Sequence, residues 1–339
     1  MIQPLQAELS AGPFPLPDFP ALHRAHPRLV PFARRLGGTS LREVPGPPGG
    51  ARILAKCEGE NPVGSVKDRV AYALICSALE RHGDRDLSEL RLLEYSGGNL
   101  ARALAHLGAL LGIHMKFVVP SVTPPSLLDT LTGYGFEYAL VDKELGFLGV
   151  IEETLALAAA QPEWTLLYQH RNEVNPAFHA ATTGAELLDQ LDGVRPAAWV
   201  ASIGSGGTLT GVRSRLLEVA PGLRTVGVTP AELPYGSPLP PNGLPKYTGA
   251  TGLGNGLHQP FVRRHGDAIE HRTVSRDEAL DGMVELHALS GLRAGSSGAA
   301  NWLAARAVAA ELPSDAVVLT VFPDAGSPED WDLARSRRA

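Results

Sequence analysis

The sequence predicts an α/β protein of two domains, each a mostly parallel, twisted sheet flanked by helices. Three observations carry this. The chain has 339 residues, too many for one hydrophobic core, and 44% of them are hydrophobic against 19% charged, the balance of a globular chain. Short β-branched runs alternate with helical periodicity along most of its length, a pattern that places parallel strands between helices. The Gly-rich turns fall where strands pass into helices, the end of such a sheet at which ligands bind.

The chain is read in order. Residues 1–35 are rich in proline (Pro4, Pro13, Pro15, Pro17, Pro20, Pro27, Pro31) and read as an extended arm on the body or on a partner subunit, or as a disordered leader. Pro45 to Gly50 is a turn cluster. Arg52 to Lys56 is strand-like and leads into Asn61-Pro62-Val63-Gly64-Ser65-Val66-Lys67-Asp68-Arg69. A helix follows with Val66, Val70, Ala73, Leu74 and Ala78 on one face. Ser65 sits at its N-cap, with Asp68 three residues on as in a capping box. Arg91–Glu94 reads as a strand, 101–107 as a helix, Met115–Val119 as a buried strand stopped by Pro120 and Pro124-Pro125. Glu137–Val141 is a strand, Ile151–Ala160 a helix, Ala198–Ile203 a strand, Leu209–Ala220 a helix and Thr225–Val228 a strand. Pro221 to Pro260 has little periodicity and reads mainly as loops. Helices over Asp277–Leu289 and Ser297–Glu311 and the strand Val317–Val321 complete the alternation.

Several function classes recede at once. A formal charge of −6 argues against nucleic acid as the main partner. No apolar run is long enough to span a bilayer and no signal-peptide layout opens the chain, so the expectation is a cytoplasmic protein. Cys57 and Cys76 are the only cysteines and are expected as two buried thiols rather than a disulfide. No His/Cys spacing suits a metal.

Four turns carry chemistry. Lys67 falls in the first turn of its helix, where unpaired N–H groups and the dipole are positive, a poor place for a cation. It is either a solvated lysine after a Pro/Gly turn or an amine kept neutral and nucleophilic. Gly204-Ser205-Gly206-Gly207-Thr208 lies between strand and helix. It lacks the Gly-Lys-Ser/Thr ending of a nucleotide loop, and Leu209 stands where a dinucleotide fingerprint needs glycine. It is either a tight turn or a cradle of N–H and hydroxyl groups for a phosphate monoester. Asn99, in the Ser96–Asn99 turn, and Ser296-Ser297, opening a late helix, read as helix caps or as ligand contacts. An amine, a phosphate cradle, an amide and a hydroxyl on such turns together fit pyridoxal 5′-phosphate.

These motifs, with Asn175-Pro176 through Thr182-Thr183-Gly184, Gly252 to Gly256 and Pro323-Asp324-Ala325-Gly326 in the same order, resemble the cysteine synthase and cystathionine β-synthase family of pyridoxal-phosphate enzymes from about Leu36 to Gly326. The resemblance implies fold type II, similar to the tryptophan synthase β chain. The implied domains are a smaller one over residues 61–172 and a larger one over 36–60 plus 173–339. It implies that Lys67 forms the Schiff base and acts as the catalytic base, that the Gly204–Thr208 loop holds the phosphate, that Asn99 contacts the ring 3′-oxygen and Ser296 the pyridine nitrogen. Ser96, Gly97, Gly98 and Gln169 would meet the substrate. It further implies β-replacement on an amino acid with a β-leaving group, of the O-acetylserine-plus-sulfide kind. The alternatives are β-elimination with the same residues or a non-catalytic relative that binds the cofactor. The partners implied are a small amino acid, a small nucleophile and a second subunit in a homodimer. A serine at the pyridine nitrogen cannot hold a proton there as a carboxylate would, which disfavours transamination.

The sequence also departs from the family. Its substrate loop usually reads Thr-Ser-Gly-Asn-Thr-Gly and here reads Ser96-Gly97-Gly98-Asn99-Leu100-Ala101, losing two hydroxyls. Leu100 is expected to form an apolar wall against a larger substrate. The run after Pro120 lacks the family's Ser-x-Glu-Arg-Arg, and Ala325 replaces a serine.

Overall fold

The computed structural model describes residues 14–237 and 254–337. Two sheets organise them. The larger has the order β1 (Leu41–Val44), β2 (Arg52–Cys57), β10 (Val317–Phe322), β7 (Ala198–Ser202), β8 (Arg224–Pro230) and β9 (Glu270–Val274). The smaller has the order β5 (Glu137–Val141), β4 (His114–Pro120), β3 (Arg91–Tyr95) and β6 (Thr165–Leu166). The β1–β2 pair is antiparallel and the other pairings are parallel. The central strands are buried on both faces, as continuous β-branched runs such as Val317–Phe322 require.

The helices, in chain order, are α1 (Phe19–Ala25), α2 (Val30–Arg35), α3 (Lys67–His82), α4 (Asn99–Leu111), α5 (Pro125–Gly133), α6 (Gly146–Ala160), α7 (Val174–His179), α8 (Ala185–Leu191), α9 (Gly207–Leu216), α10 (Pro260–Arg263), α11 (Arg276–Ser290), α12 (Ser296–Ala310) and α13 (Pro328–Ser336). α7 and α8 are joined by a π-helical turn over Ala180–Gly184. The expected strands are present within one or two residues of their predicted ends. α5, α7, α8, α13, β1, β6 and β9 were not anticipated, being short or lacking clear periodicity.

Two expectations are corrected. The described part of the N-terminal segment is not extended: Phe19, Leu22, Leu29 and Phe32 lie on α1, α2 and the turn between them and pack onto α3. The Phe19 and Phe32 rings stack on Tyr72 at centroid separations of 5.5 and 6.1 Å. Pro20, Pro27 and Pro31 sit at helix starts, where their missing N–H costs nothing. Residues 1–13, with Pro4 and Pro13, lie outside the described residues. The second correction is Cys57, whose side chain is only partly covered; Cys76 is buried, and both thiols are free.

α3 is not a surface helix with one apolar stripe. Every residue from Asp68 to Leu79 is buried, between α4, α7 and the arm helices. Small side chains on both helices (Ala71, Ala73, Ala78, Ala101, Ala103 and Ala105) belong to the same buried core cluster. The helix that opens with Lys67 is therefore the centre of its layer.

Candidate active site

The turns singled out above follow the carboxyl ends of strands, except Ser296-Ser297, which follows α11. The Asn61–Val66 turn follows β2 and a short 3₁₀ turn (Glu58–Glu60), the Ser96–Gly98 turn follows β3, the Gly204–Gly206 loop follows β7 and Pro323–Gly326 follows β10. Backbone contacts tie the first of these and the start of α12 to Pro323–Gly326: Val66 N–H donates to Pro323 O at 2.8 Å, Ser65 bridges Asp324, and Gly295 N–H donates to Asp324 O at 3.0 Å.

Lys67 is the first residue of α3, and Ser65 Oγ accepts its N–H at 3.2 Å. Val66 rather than Ser65 holds the formal cap position. Asp68 instead gathers the turn before the helix, accepting Val63 N–H at 2.6 Å, Gly64 N–H at 3.2 Å and Ser65 Oγ–H at 3.2 Å. Asp68 therefore locks the turn that aims Lys67. Burial lowers the Lys67 ammonium from the ordinary lysine value to about 8, with the Glu94 charge opposing it. The neutral, nucleophilic form is thus accessible near neutral pH. Glu94, fully buried at the end of β3, is itself pushed up to about 8 by burial and accepts Gln169 N–H at 3.2 Å.

The Gly204–Thr208 loop is built from behind by α7. Asn175 Nδ2 donates to Ser205 Oγ at 3.1 Å and to Gln169 O at 2.9 Å. A Cβ on Gly207 would run into that same amide, so the loop can lie this close to α7 only with glycine there. Gly206 has φ +85°, and a Cβ there would also meet Val262 at 2.6 Å. Thr208 Oγ1 lies 3.1 Å from His179 Nε2, and His179 Nδ1 lies 2.9 Å from Thr183 Oγ1. Burial, with Arg69 and Lys67 nearby, holds His179 neutral, well below its ordinary pKa. The first N–H groups of α9 leave this loop without a preceding turn to accept them, the arrangement that receives an anion.

Ser296 and Ser297 open α12, but neither caps it: the cap position is Gly295, with no side-chain bond. Both serines are 2% exposed, and neither Oγ has a partner among the described residues. Buried hydroxyls are normally satisfied, so two orphans at a helix start, beside the loop that holds Lys67, mark a place built for a ligand atom. Asn99 is the first residue of α4, and its Nδ2 donates to Asp324 Oδ2 at 2.7 Å. This leaves the second Nδ2 hydrogen for another acceptor. Asp324 also takes Gly326 N–H at 2.9 Å.

The substrate half differs from expectation. Ser96 Oγ accepts Gly98 N–H at 3.3 Å. Gln169 Nε2 donates to Tyr95 O at 3.0 Å, bracing β3 just before the loop. Leu100 is 1% exposed and belongs to the core cluster with α3. It is therefore not an apolar wall against a substrate, since on a helix starting at Asn99 position 100 turns inward. Gly252 and Leu253 lie outside the described residues.

Sequence reasoning gave no role to Glu94, His179 or Thr123, gave Asp68 only a capping role, and quoted Asn175 and Asp324 only within motifs. Only the distant contacts reveal them. His170 is a further case: its Nδ1 lies 2.8 Å from Tyr95 Oη, and burial with the Lys67 charge lowers it to about 3.

The residues present fit pyridoxal phosphate, with an accessible amine, an N–H-lined glycine loop and unpartnered buried hydroxyls in one set of neighbouring turns. Comparison with known proteins agrees. Residues 33–324 match the family model described as pyridoxal-phosphate dependent enzyme. Cysteine synthase B of Salmonella typhimurium is 33% identical over 293 residues, covering 86% of this chain and 91% of the relative. Cysteine synthase of Helicobacter pylori is 33% identical, covering 80% and 86%. Among solved structures, O-ureido-L-serine synthase superposes with a TM-score of 0.76 at 27% identity, covering 88% of this chain and 92% of the other. O-acetylserine dependent cystathionine beta-synthase from Helicobacter pylori gives 0.75 at 28% identity, covering 87% and 95%.

Proposed function

The chain belongs to the pyridoxal-phosphate dependent enzyme family, and from that premise we propose that it catalyses a β-replacement. An L-amino acid bearing a leaving group on Cβ would exchange it for a thiol, sulfide or related nucleophile. The observation that carries the reading is the buried, unpartnered Ser296 hydroxyl at the start of α12. The cysteine synthases among its relatives support the substrate class.

In this reading the Gly204–Thr208 loop binds the phosphate through its N–H groups and the Ser205 and Thr208 hydroxyls. Thr208 is held in place by neutral His179. Asn99, oriented by Asp324, donates its second amide hydrogen to the ring oxygen, and Ser296 faces the ring nitrogen. When bound, pyridoxal phosphate supplies an aldehyde that captures amines and a conjugated ring that draws electrons from the amino acid's Cα. Lys67 supplies the amine that attaches the cofactor. With its amine free, Lys67 Nζ would take the proton from Cα as general base, a task suited to a group poised near 8. Ser96, Gly98 and the N-terminus of α4 receive the substrate carboxylate, and Gln169 holds β3 beneath them.

O-acetyl-L-serine assayed with and without sulfide tests the reading: cysteine is the expected product with sulfide present. Pyruvate in both assays would replace β-replacement with β-elimination, and no product in either would leave a cofactor-binding protein. Ser296 gives a second test. A carboxylate there would hold a proton on the partner nitrogen, so Ser296→Asp is expected to slow β-replacement about tenfold or more. Wild-type rates in both Ser296→Asp and Ser296→Ala would reduce Ser296 to packing. The reading also carries a cytoplasmic homodimer, which light scattering checks for its oligomeric part.

A further inference from the structure

Gly97 and Leu100 remove two hydroxyls from the substrate loop, and the structure treats the two positions differently. Leu100 is absorbed into the core. Gly97 opens a space that another residue fills. β3 and β4 are adjacent and parallel, with Tyr95 opposite Val118, so the loop after β4 comes down beside the Ser96–Gly98 turn. In that loop Thr123 N–H donates to Pro120 O at 2.9 Å, turning the chain so that the threonine points back toward β3. A Cβ placed on Gly97 would lie 2.8 Å from Thr123 Oγ1 and 3.0 Å from the Pro120 ring. The Thr123 hydroxyl therefore lies in the space that a side chain at position 97 would occupy.

Thr123 is 6% exposed, and its Oγ1 has no hydrogen-bond partner among the described residues. A buried hydroxyl is normally satisfied. This one is beside the Ser96–Gly98 turn, which ends at the N-terminus of the 13-residue α4, whose cap, Gly98, offers no side-chain bond. The positive end of a helix and a hydroxyl donor with no protein acceptor together make a carboxylate site.

We propose that Thr123 is a substrate-binding residue: its hydroxyl donates to the α-carboxylate of the amino acid, in place of the side chain missing at Gly97. The inference rests on the amino-acid substrate class proposed above. It explains how the loop after β4 can lack the family's usual run and still serve the site. It also explains why Gly97 is glycine, since any side chain there would collide with Thr123.

The test is binding to the holoenzyme, read from the change in cofactor absorbance on titration with L-alanine and, separately, with L-alaninamide, which lacks the carboxylate. Wild type is expected to bind L-alanine the more tightly. Thr123→Val keeps the shape and removes the donor; it should raise the Kd for L-alanine about 5- to 150-fold while leaving L-alaninamide unchanged. Thr123→Ser should behave as wild type. Should Thr123→Val fail to retain cofactor, Thr123→Ala carries the same comparison. Equal Kd values for L-alanine in wild type and the deletion variants would overturn the role of Thr123 and leave the β-replacement reading intact. Failure of wild type to bind either ligand would instead remove the substrate class, and this proposal with it.

Discussion

Lys67→Ala is expected to lose the covalent attachment of the cofactor and to cut turnover by about 10²–10⁴-fold, the range associated with loss of a positioned base. Cofactor itself should still bind, because the Gly204–Thr208 loop and its support from Asn175 and His179 do not involve the lysine. Borohydride reduction of the holoprotein followed by peptide mapping gives the direct reading, with the label on Lys67. A label on Lys56 would sink the assignment. That outcome is chemically disfavoured, since Lys56 Nζ is tied to Glu186 at 2.8 Å, Thr39 O at 2.6 Å and Gln190 Oε1 at 2.9 Å. The pH dependence follows from the same environment. Below about 8 the Lys67 amine is protonated and cannot attack, and above it the amine is free. Uptake of pyridoxal phosphate by the apoprotein should therefore accelerate with rising pH, with a midpoint near 8. A rate independent of pH through that region would show that deprotonation of Lys67 does not control the step.

The second large effect is on stability. Arg69, two residues past Lys67, is 1% exposed. Its Nε donates to Glu58 Oε2 at 2.7 Å, its Nη1 to Glu186 Oε1 at 2.7 Å, and its Nη2 to Glu58 Oε1 and Glu186 Oε2 at 2.9 and 2.8 Å. Glu58, on the short turn after β2, also takes Thr39 Oγ1 and Asn61 Nδ2. The cluster ties α3 to β2 and α8, so it fixes the helix that carries Lys67 against the larger sheet. Removing Arg69 leaves the buried Glu58 carboxylate without its cation, while Glu186 keeps Lys56, and Arg69→Ala should destabilise the protein by about 3–5 kcal/mol in urea denaturation. An unchanged midpoint would mean that the cluster relaxes onto water. Arg69 and Lys56 hold the Glu186 carboxyl down at about 2. A depressed carboxylate contributes stability that is present above its unfolded pKa and lost as pH falls through the folded one. Wild type should therefore lose this contribution between the ordinary glutamate range and about 2, and Arg69→Ala should lose less across that window.

How far the sequence could be read depended on the reach of each interaction. β5 was placed at its observed ends because alternating short runs and helical periodicity are local patterns. The arm was misread because proline content suggests extension, whereas here proline opens two helices whose apolar residues become visible only against Tyr72. Lys67, the phosphate loop, Asn99 and Ser296 could be named from motifs that require particular residue types in a fixed order. Leu100 was misread because its neighbour Asn99 faces the site while Leu100 faces α3, a distinction set by where α4 begins.

The sequence by itself determined the alternation of strands and helices, the lysine at a helix start and the glycine loop, all of which are encoded within a few consecutive residues. Only the tertiary structure decided the state of those groups. The Lys67 amine is lowered by burial that the whole layer around α3 creates. Ser296 is released from capping by the placement of Gly295. Thr123, from the loop after β4, lies in the space that a side chain at Gly97 would occupy. Desolvation and hydrogen-bond satisfaction are sums over everything packed around a group, and those neighbours come from parts of the chain as far apart as Asn99 and Asp324.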